Sequence, residues 1–165
     1  MRELRSIGIQ PDAIVCRSDE PLSSELADKI ALFADVEPRA VISNPDTDSI
    51  YEVPLVLEEA GLGDFICEHL GLDRGPPDLR EWSEMVAVLR APLPEIEIAI
   101  VGKYVKMTDS YLSVIEALRH AGIAHNVHTR VRWVDAEDLE DRDPADLLGG
   151  AAAIVVPGGF GPRGI

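Results

Sequence analysis

Glu95-Ile-Glu-Ile-Ala-Ile-Val-Gly-Lys-Tyr104 is the stretch on which the fold turns. Its centre, Ile98 to Val101, is apolar, rich in β-branched residues, and stops at Gly102. That is the pattern of a strand buried on both faces of a parallel sheet, although periodicity alone also allows a short buried helix. Met107-Thr-Asp-Ser110 then supplies capping residues, and Tyr111-Leu-Ser-Val-Ile-Glu-Ala-Leu118 places residues 111, 114, 115 and 118 on one helical face. Gly122 stands where a left-handed helix cap is expected. Strand, turn and helix make the opening unit of an α/β domain. Just upstream, Ala91-Pro-Leu-Pro94 has the punctuation of a linker, so a domain is expected to begin near residue 95.

The whole chain sets bounds on the rest. Its 165 residues make one ordinary domain or two incomplete ones. With 46% apolar and 27% charged residues the composition is globular. No run of 18 apolar residues offers a membrane span, and Met-Arg-Glu-Leu-Arg lacks the apolar segment of a signal peptide. Cys16 and Cys67 lie far apart without metal-type spacing, which fits free thiols in a cytoplasmic protein. A net charge of −15 argues against nonspecific nucleic-acid binding, which needs Lys and Arg in excess. The same acidity is also compatible with adaptation to high salt.

Before the linker, Gln10-Pro-Asp-Ala-Ile-Val-Cys16 turns on Pro11 and runs into a short strand ending in Arg17-Ser-Asp19. In open α/β sheets the carboxyl edge is where ligands bind; the same cluster also reads as a solvated turn capping the next helix. Ser23 and Ser24 are cap candidates for a helix whose apolar face would carry Leu26, Ile30 and Phe33, with Lys29 opposite or beside it. Sequence physics alone gives that lysine no role beyond a surface one.

Ala40-Val-Ile-Ser43 is a second short strand, and Asn44-Pro-Asp-Thr-Asp48 is a fixed turn rich in side chains that bond their own backbone. Asp46 and Asp48 lack the glycine and distal glutamate of a calcium loop, so they are expected to cap the next helix. Pro54 and Gly61 bracket a helix over residues 55–60, another short helix covers 64–70, and His69 there has no metal-spaced partner. After a Gly/Pro-rich loop at 71–78, Asp78 caps a helix striped by Leu79, Trp82, Val86 and Leu89.

Beyond the second unit's opening, residues 127–134 alternate Val127, Thr129, Val131 and Trp133 with His128, Arg130 and Arg132, the period of an outer strand. His125 and His128 are three apart and on a strand face opposite ways, which weakens a metal reading. Asp135 to Asp146 is carboxylate-rich and reads as a solvated connection. Ala151-Ala-Ala-Ile-Val-Val156 is a further apolar strand leading into Pro157-Gly-Gly-Phe-Gly-Pro-Arg-Gly-Ile165. Those glycines let backbone N–H groups approach an anion or a developing oxyanion, and equally make a tight turn. The loop lacks the Gly-Lys-Ser/Thr of a Walker phosphate loop.

Six ordered motifs carry a resemblance. They are Ser6-Ile-Gly-Ile-Gln-Pro-Asp12, Cys16-Arg-Ser-Asp19, Lys29-Ile-Ala-Leu-Phe33, Asp48-Ser-Ile-Tyr-Glu-Val-Pro54, Val101-Gly-Lys-Tyr104 and Val156-Pro-Gly-Gly-Phe-Gly161. Tyr111 to Leu118 and His120-Ala-Gly-Ile123 agree as well. The chain thereby resembles the CTP synthase family from about residue 4 to its last residue. Members of that family join a P-loop-type amidoligase (synthetase) domain, which uses ATP, Mg²⁺ and UTP, to a class I glutamine amidotransferase domain. Ammonia from glutamine aminates a phosphorylated UTP to give CTP, a step of pyrimidine biosynthesis.

The resemblance implies two partial α/β domains with parallel sheets flanked by helices: 1–90 as the end of the synthetase domain, 91–95 as a linker, and 96–165 as the start of the amidotransferase domain. It implies that Lys29 contacts UTP or CTP phosphates, and that Arg17 with Pro45, Asp46 and Thr47 lines the adenine end of ATP. Gly158, Gly159, Phe160 and Gly161 would form the glutamine and oxyanion loop. A cytoplasmic homo-oligomer acting on nucleotides, without membrane or nucleic acid, is the expected parent. By the same resemblance, the phosphate loop and Mg²⁺ carboxylates belong upstream of Met1, and the nucleophilic cysteine with its His–Glu partners downstream of Ile165. Neither Cys16 nor Cys67 lies in a Gly-x-Cys-x-Gly elbow, so neither replaces that nucleophile. The expectation is an internal fragment, inactive alone. A stand-alone nucleotide-binding module and a generic amidotransferase-like scaffold are the competing readings.

Overall fold

The computed structural model describes residues 2–73 and 75–158, and it divides into two compact units, 1–86 and 87–165. Both are α/β, with parallel strands flanked by helices.

In the first unit, α1 (Arg2–Ser6) precedes β1 (Ile14–Ser18), α2 (Ser24–Ala34) and β2 (Val41–Pro45). β1 and β2 pair in parallel, Ile14 with Val41 through Ser18 with Pro45. Each strand therefore runs further toward its carboxyl end than its apolar residues indicate. A 3-10 turn (Ile50–Glu52), α3 (Val53–Glu59), α4 (Leu62–Leu70) and α5 (Arg80–Arg90) complete the unit, α5 running on past its boundary. Gly61 separates α3 from α4 at φ 78°, the left-handed region glycine enters without strain. Trp82 Nε1 donates to Tyr51 O at 2.7 Å and Val86 is buried, so the stripe on α5 packs as its spacing predicts.

Two expectations for this unit need correction. α2 buries Ala31 and Ala34, while Leu26, Leu32 and Phe33 are 46, 78 and 79% exposed. The helix rests mainly on its small residues, with Ile30 half-buried, and turns its other large apolar side chains outward. The helical period fits either face, and size led to the wrong one. The capping role expected of Asp46 and Asp48 falls instead to Ser49, whose Oγ accepts from Tyr51 N. Elsewhere in this unit Ser23 Oγ accepts from Leu26 N and Asp78 Oδ1 from Arg80 N, as read, whereas in the second unit the helix Leu112–Ala124 starts from Tyr111 without the side-chain cap expected of residues 107–110.

In the second unit the sheet order is β4-β3-β5, all parallel: β3 (Glu95–Gly102) is central, β4 (His128–Asp135) and β5 (Ala153–Val155) flank it. Ile98 to Val101 are buried, as a strand covered on both faces requires. On one face Ala99, Val101 and Val134 meet Leu139 of α7 (Asp138–Asp141) and Leu147 and Leu148 at the end of α8 (Pro144–Leu148). On the other lies α6 (Leu112–Ala124), preceded by Tyr111, whose ring stacks on Trp133 at 6.1 Å. Across β3 and β4, Glu97 sits between Arg130 (2.7 Å) and Arg132, and Arg132 also donates to Leu147 O and Gly149 O. The polar face of β4 is thus an ion-pair network.

Gly122 is not the helix cap. It lies buried within α6, and the positive φ falls on Asn126 (53°). A Cβ at Gly122 would come 2.6 Å from Val127 O, so glycine is needed for close approach of helix and strand.

Candidate functional site

The carboxyl ends of β1 and β2 build the one polar corner that the sequence marks twice. The parallel register sets Arg17 beside Asn44 and Ser18 beside Pro45. Asp46 N then donates to Ser18 O at 2.8 Å, extending the ladder by one bond past the strand. This fixes the turn so that Asp46 Oδ1 accepts from Arg17 Nε at 2.9 Å. Thr47 Oγ1 donates to Ser49 O at 3.0 Å, and Leu22 N to Ser43 Oγ at 2.9 Å, so the turns on both sides are held. The hydrogen bond and the charge of Asp46 push the already high Arg17 pKa further up. The guanidinium stays fully charged and, with a side chain 81% exposed, presents a flat cationic face to solvent. Such a plane stacks on an aromatic base.

Arg17, Pro45, Asp46 and Thr47 are therefore brought together. Lys29 is not joined to them: among the described residues no hydrogen bond or ion pair links it to Arg17 or Asp46. It pairs with Glu25 one turn earlier at 2.6 Å, on the rim of a groove of about 410 Å³ lined by Leu26, Ile30, Phe33 and Ala34. A phosphate reaching Lys29 has to displace Glu25.

Of the glycine loop, Gly158 is described; Gly159, Phe160 and Gly161 lie outside the described residues. Gly158 is exposed just beyond β5, a Cβ built on it meets nothing within 4 Å, and its φ is not in the left-handed region. Among the described residues, neither packing nor backbone conformation asks for glycine there.

Among the described residues, two buried polar atoms lack partners: Asn44 Oδ1, beside Arg17, and Lys103 Nζ, just past the carboxyl end of β3. Sequence reading assigned neither a role. The signal available was position, since both follow an apolar strand core at its carboxyl end. Among the described residues no three His, Cys, Asp or Glu side chains converge as a metal site. His69 lies 3.3 Å from Asp12 and stacks on Phe65, and His128 binds Ala91 O; both are structural.

With this geometry in view, the comparisons bear on which chemistry the corner serves. Residues 1–72 match the family described as CTP synthase N-terminus. The chain is 54% identical over 162 residues to the CTP synthase of Chloroflexus aurantiacus (strain J-10-fl), covering 98% of the chain and 30% of that relative. Nearly the whole chain is similar to one segment of that enzyme. It is 55% identical over 169 residues to the CTP synthase of Symbiobacterium thermophilum, and 54% over 163 to that of Roseiflexus sp. RS-1. It spans about 30% of the length of these CTP synthases. The Arg17–Asp46 corner falls inside the stretch matched to the CTP synthase N-terminus, and the second unit lies beyond it. Similarity to whole CTP synthases continues through both units. Among the described residues no helix is long and apolar enough to cross a membrane.

Proposed function

We propose that this chain is the part of a CTP synthase in which an amidoligase domain, residues 1–90, passes through a linker at 91–95 into the start of a glutamine amidotransferase domain, residues 96–165. The observation that carries the reading is the Arg17–Asp46 corner: a parallel strand pair ends in a fixed cationic plane within the stretch matching the CTP synthase N-terminus. In this reading Arg17 stacks on the adenine of ATP, and the 45–47 turn holds the base edge. ATP phosphorylates UTP, and ammonia displaces that phosphate to form CTP. Lys29 leaves Glu25 to meet UTP or CTP phosphate oxygens. The backbone N–H groups at 158–161 stabilise the oxyanion of glutamine hydrolysis. The parent is a cytoplasmic, homo-oligomeric ligase of pyrimidine biosynthesis that uses Mg²⁺ with ATP.

A graft tests this. Residues 1–165 replace the matching stretch of the Chloroflexus aurantiacus CTP synthase, and CTP formation is followed with glutamine or with ammonia as the nitrogen source. The expected result is activity with both, with Arg17→Ala raising the KM for ATP by about tenfold, the loss of one stacking contact. A folded graft whose KM for ATP is indifferent to Arg17→Ala would reject the adenine assignment. Micromolar UTP binding by the ungrafted chain, abolished by Lys29→Ala, would favour a stand-alone nucleotide-binding module instead.

A further inference from the structure

The carboxyl end of α2 is held by two side chains from the segment before β1. Arg5 Nη2 donates to Ala34 O at 2.5 Å and Arg5 Nη1 to Phe33 O at 3.4 Å. Gln10 Nε2 donates to Ala34 O at 2.9 Å and Asp35 O at 3.1 Å, and Arg5 Nε donates to Gln10 Oε1 at 2.9 Å. The last carbonyls of a helix have no partner within it, and a cation there also meets the negative end of the helix dipole. The clamp answers both needs.

Its importance comes from how α2 is otherwise seated. The helix buries Ala31 and Ala34, half-buries Ile30, and exposes Leu26, Leu32 and Phe33. With its larger side chains mostly outside the contact, the helix has few ridges interdigitating with its neighbours to set its position along its axis. The axial setting of α2 therefore depends on the clamp at its end. A slip of one residue moves every side chain on the helix by about 1.5 Å. Charge-assisted hydrogen bonds to an anion do not tolerate that, since their useful range is only about 2.7–2.9 Å.

We infer that Arg5 and Gln10 are positioning residues for Lys29, fixing the axial setting of α2 so that the lysine meets its phosphate. This rests on the reading that Lys29 contacts UTP phosphates. It adds a function to the Ser6–Asp12 motif and its flank, which otherwise contribute only resemblance.

A double-mutant cycle in the grafted synthase tests it with ammonia as nitrogen source. Gln10→Leu keeps approximate size but removes the donors; Arg5→Lys keeps charge but loses the fork and serves as a second probe should Gln10→Leu fold poorly. Each is expected to raise the KM for UTP at least threefold, a coupling of about 0.65 kcal/mol or more, with the KM for ATP unchanged. In a Lys29→Ala background the same changes are expected to have no further effect on UTP. A role in stability alone would lower activity toward both nucleotides equally in both backgrounds, and that result overturns the inference. If Lys29→Ala raises the KM for UTP but neither clamp variant does, the inference fails and the Lys29 assignment stands. If Lys29→Ala itself leaves UTP untouched, the assignment fails and takes the inference with it.

Discussion

Tyr111 occupies the space that a side chain at residue 102 would need: a Cβ on Gly102 would lie 2.3 Å from Tyr111 Oη and 2.7 Å from its Cζ. The hydroxyl accepts from Tyr104 N at 3.3 Å, and the buried ring stacks on Trp133. Gly102→Ala is therefore expected to destabilise the second unit by about 1–3 kcal/mol, the usual cost of overpacking. Combining it with Tyr111→Leu should cost less than the two single changes added together, because the clash is then gone. Denaturation followed by fluorescence separates the units, as Trp133 lies in the second and Trp82 in the first. A Gly102→Ala protein whose Trp133 transition is unmoved would show that the ring swings aside freely.

Gly102 also shows what the sequence makes legible. The strand at 95–102 could be read because both its faces are covered, so every central position is apolar and the signal is continuous. The split at Gly61 could be read because a positive φ has a residue type attached to it. The face of α2 could not, because alanines at 31 and 34 and large residues at 26, 30 and 33 satisfy the same period, and size does not say which side packs. Nor could the Arg17–Asp46 ion pair be read from the residues themselves; the resemblance put both at one site without joining them. The residues are 29 apart, and only the register of β1 on β2 joins them. Gly122 misled for a related reason, since the approach of Val127 O is a tertiary fact and helix capping a local one.

The Arg39 cluster predicts a pH dependence for the first unit. Arg39 donates to both Glu68 oxygens at 2.5 and 3.0 Å and to Glu37 at 2.7 Å, with its guanidinium 5.3 Å from the Phe65 ring centre. The Arg39 hydrogen bonds, then its charge, hold the Glu68 pKa below the ordinary 4.5, against a smaller opposing effect of burial. A carboxylate with a lowered folded pKa contributes stability that is complete above its unfolded value. That contribution is lost as pH falls through the folded one. Arg39→Gln should thus lower the Tm of the first unit at neutral pH. The gap to the parent should close as pH drops below about 4.5. A gap that is constant from neutral pH to pH 3 would assign the effect to packing on Phe65 instead.

Limited proteolysis distinguishes the two connecting stretches. The proline-punctuated residues 91–94 look like the more vulnerable in sequence, yet they are pinned: His128 N donates to Pro94 O and His128 Nε2 to Ala91 O, both at 2.8 Å. The described residues from 71 to 78 are exposed, without such anchors on their backbone beyond Gly71 and Leu72. First cleavage is expected within 71–78. His128→Ala should make 91–94 competitive, since cleavage follows local opening. Preferential cutting at 91–94 in the parent chain would contradict the anchoring role of His128.

Glutamine hydrolysis gives the last prediction. The reaction needs an attacking thiolate, a base to activate it and donors for the tetrahedral oxyanion. Both cysteines of the chain, Cys16 and Cys67, lie in the first unit, so the second unit brings no thiol to its own glycine loop. Donors without a nucleophile leave a residual advantage of only about 10³–10⁴ over water even in well-built sites. The isolated chain is therefore expected to release no measurable ammonia from glutamine, and release that survives thiol alkylation would refute the reading of the chain as an incomplete amidotransferase. In the grafted synthase, Gly158→Val separates the loop's chemistry from its folding. Open space around Gly158 among the described residues gives the valine room, while its side chain takes the room of an approaching substrate. Glutamine-dependent CTP formation should fall about 10²–10³-fold, the cost of losing an oxyanion donor. Ammonia-dependent formation, which bypasses the loop, should persist. If both fall together the substitution has damaged the fold, and if neither falls Gly158 has no part in binding glutamine.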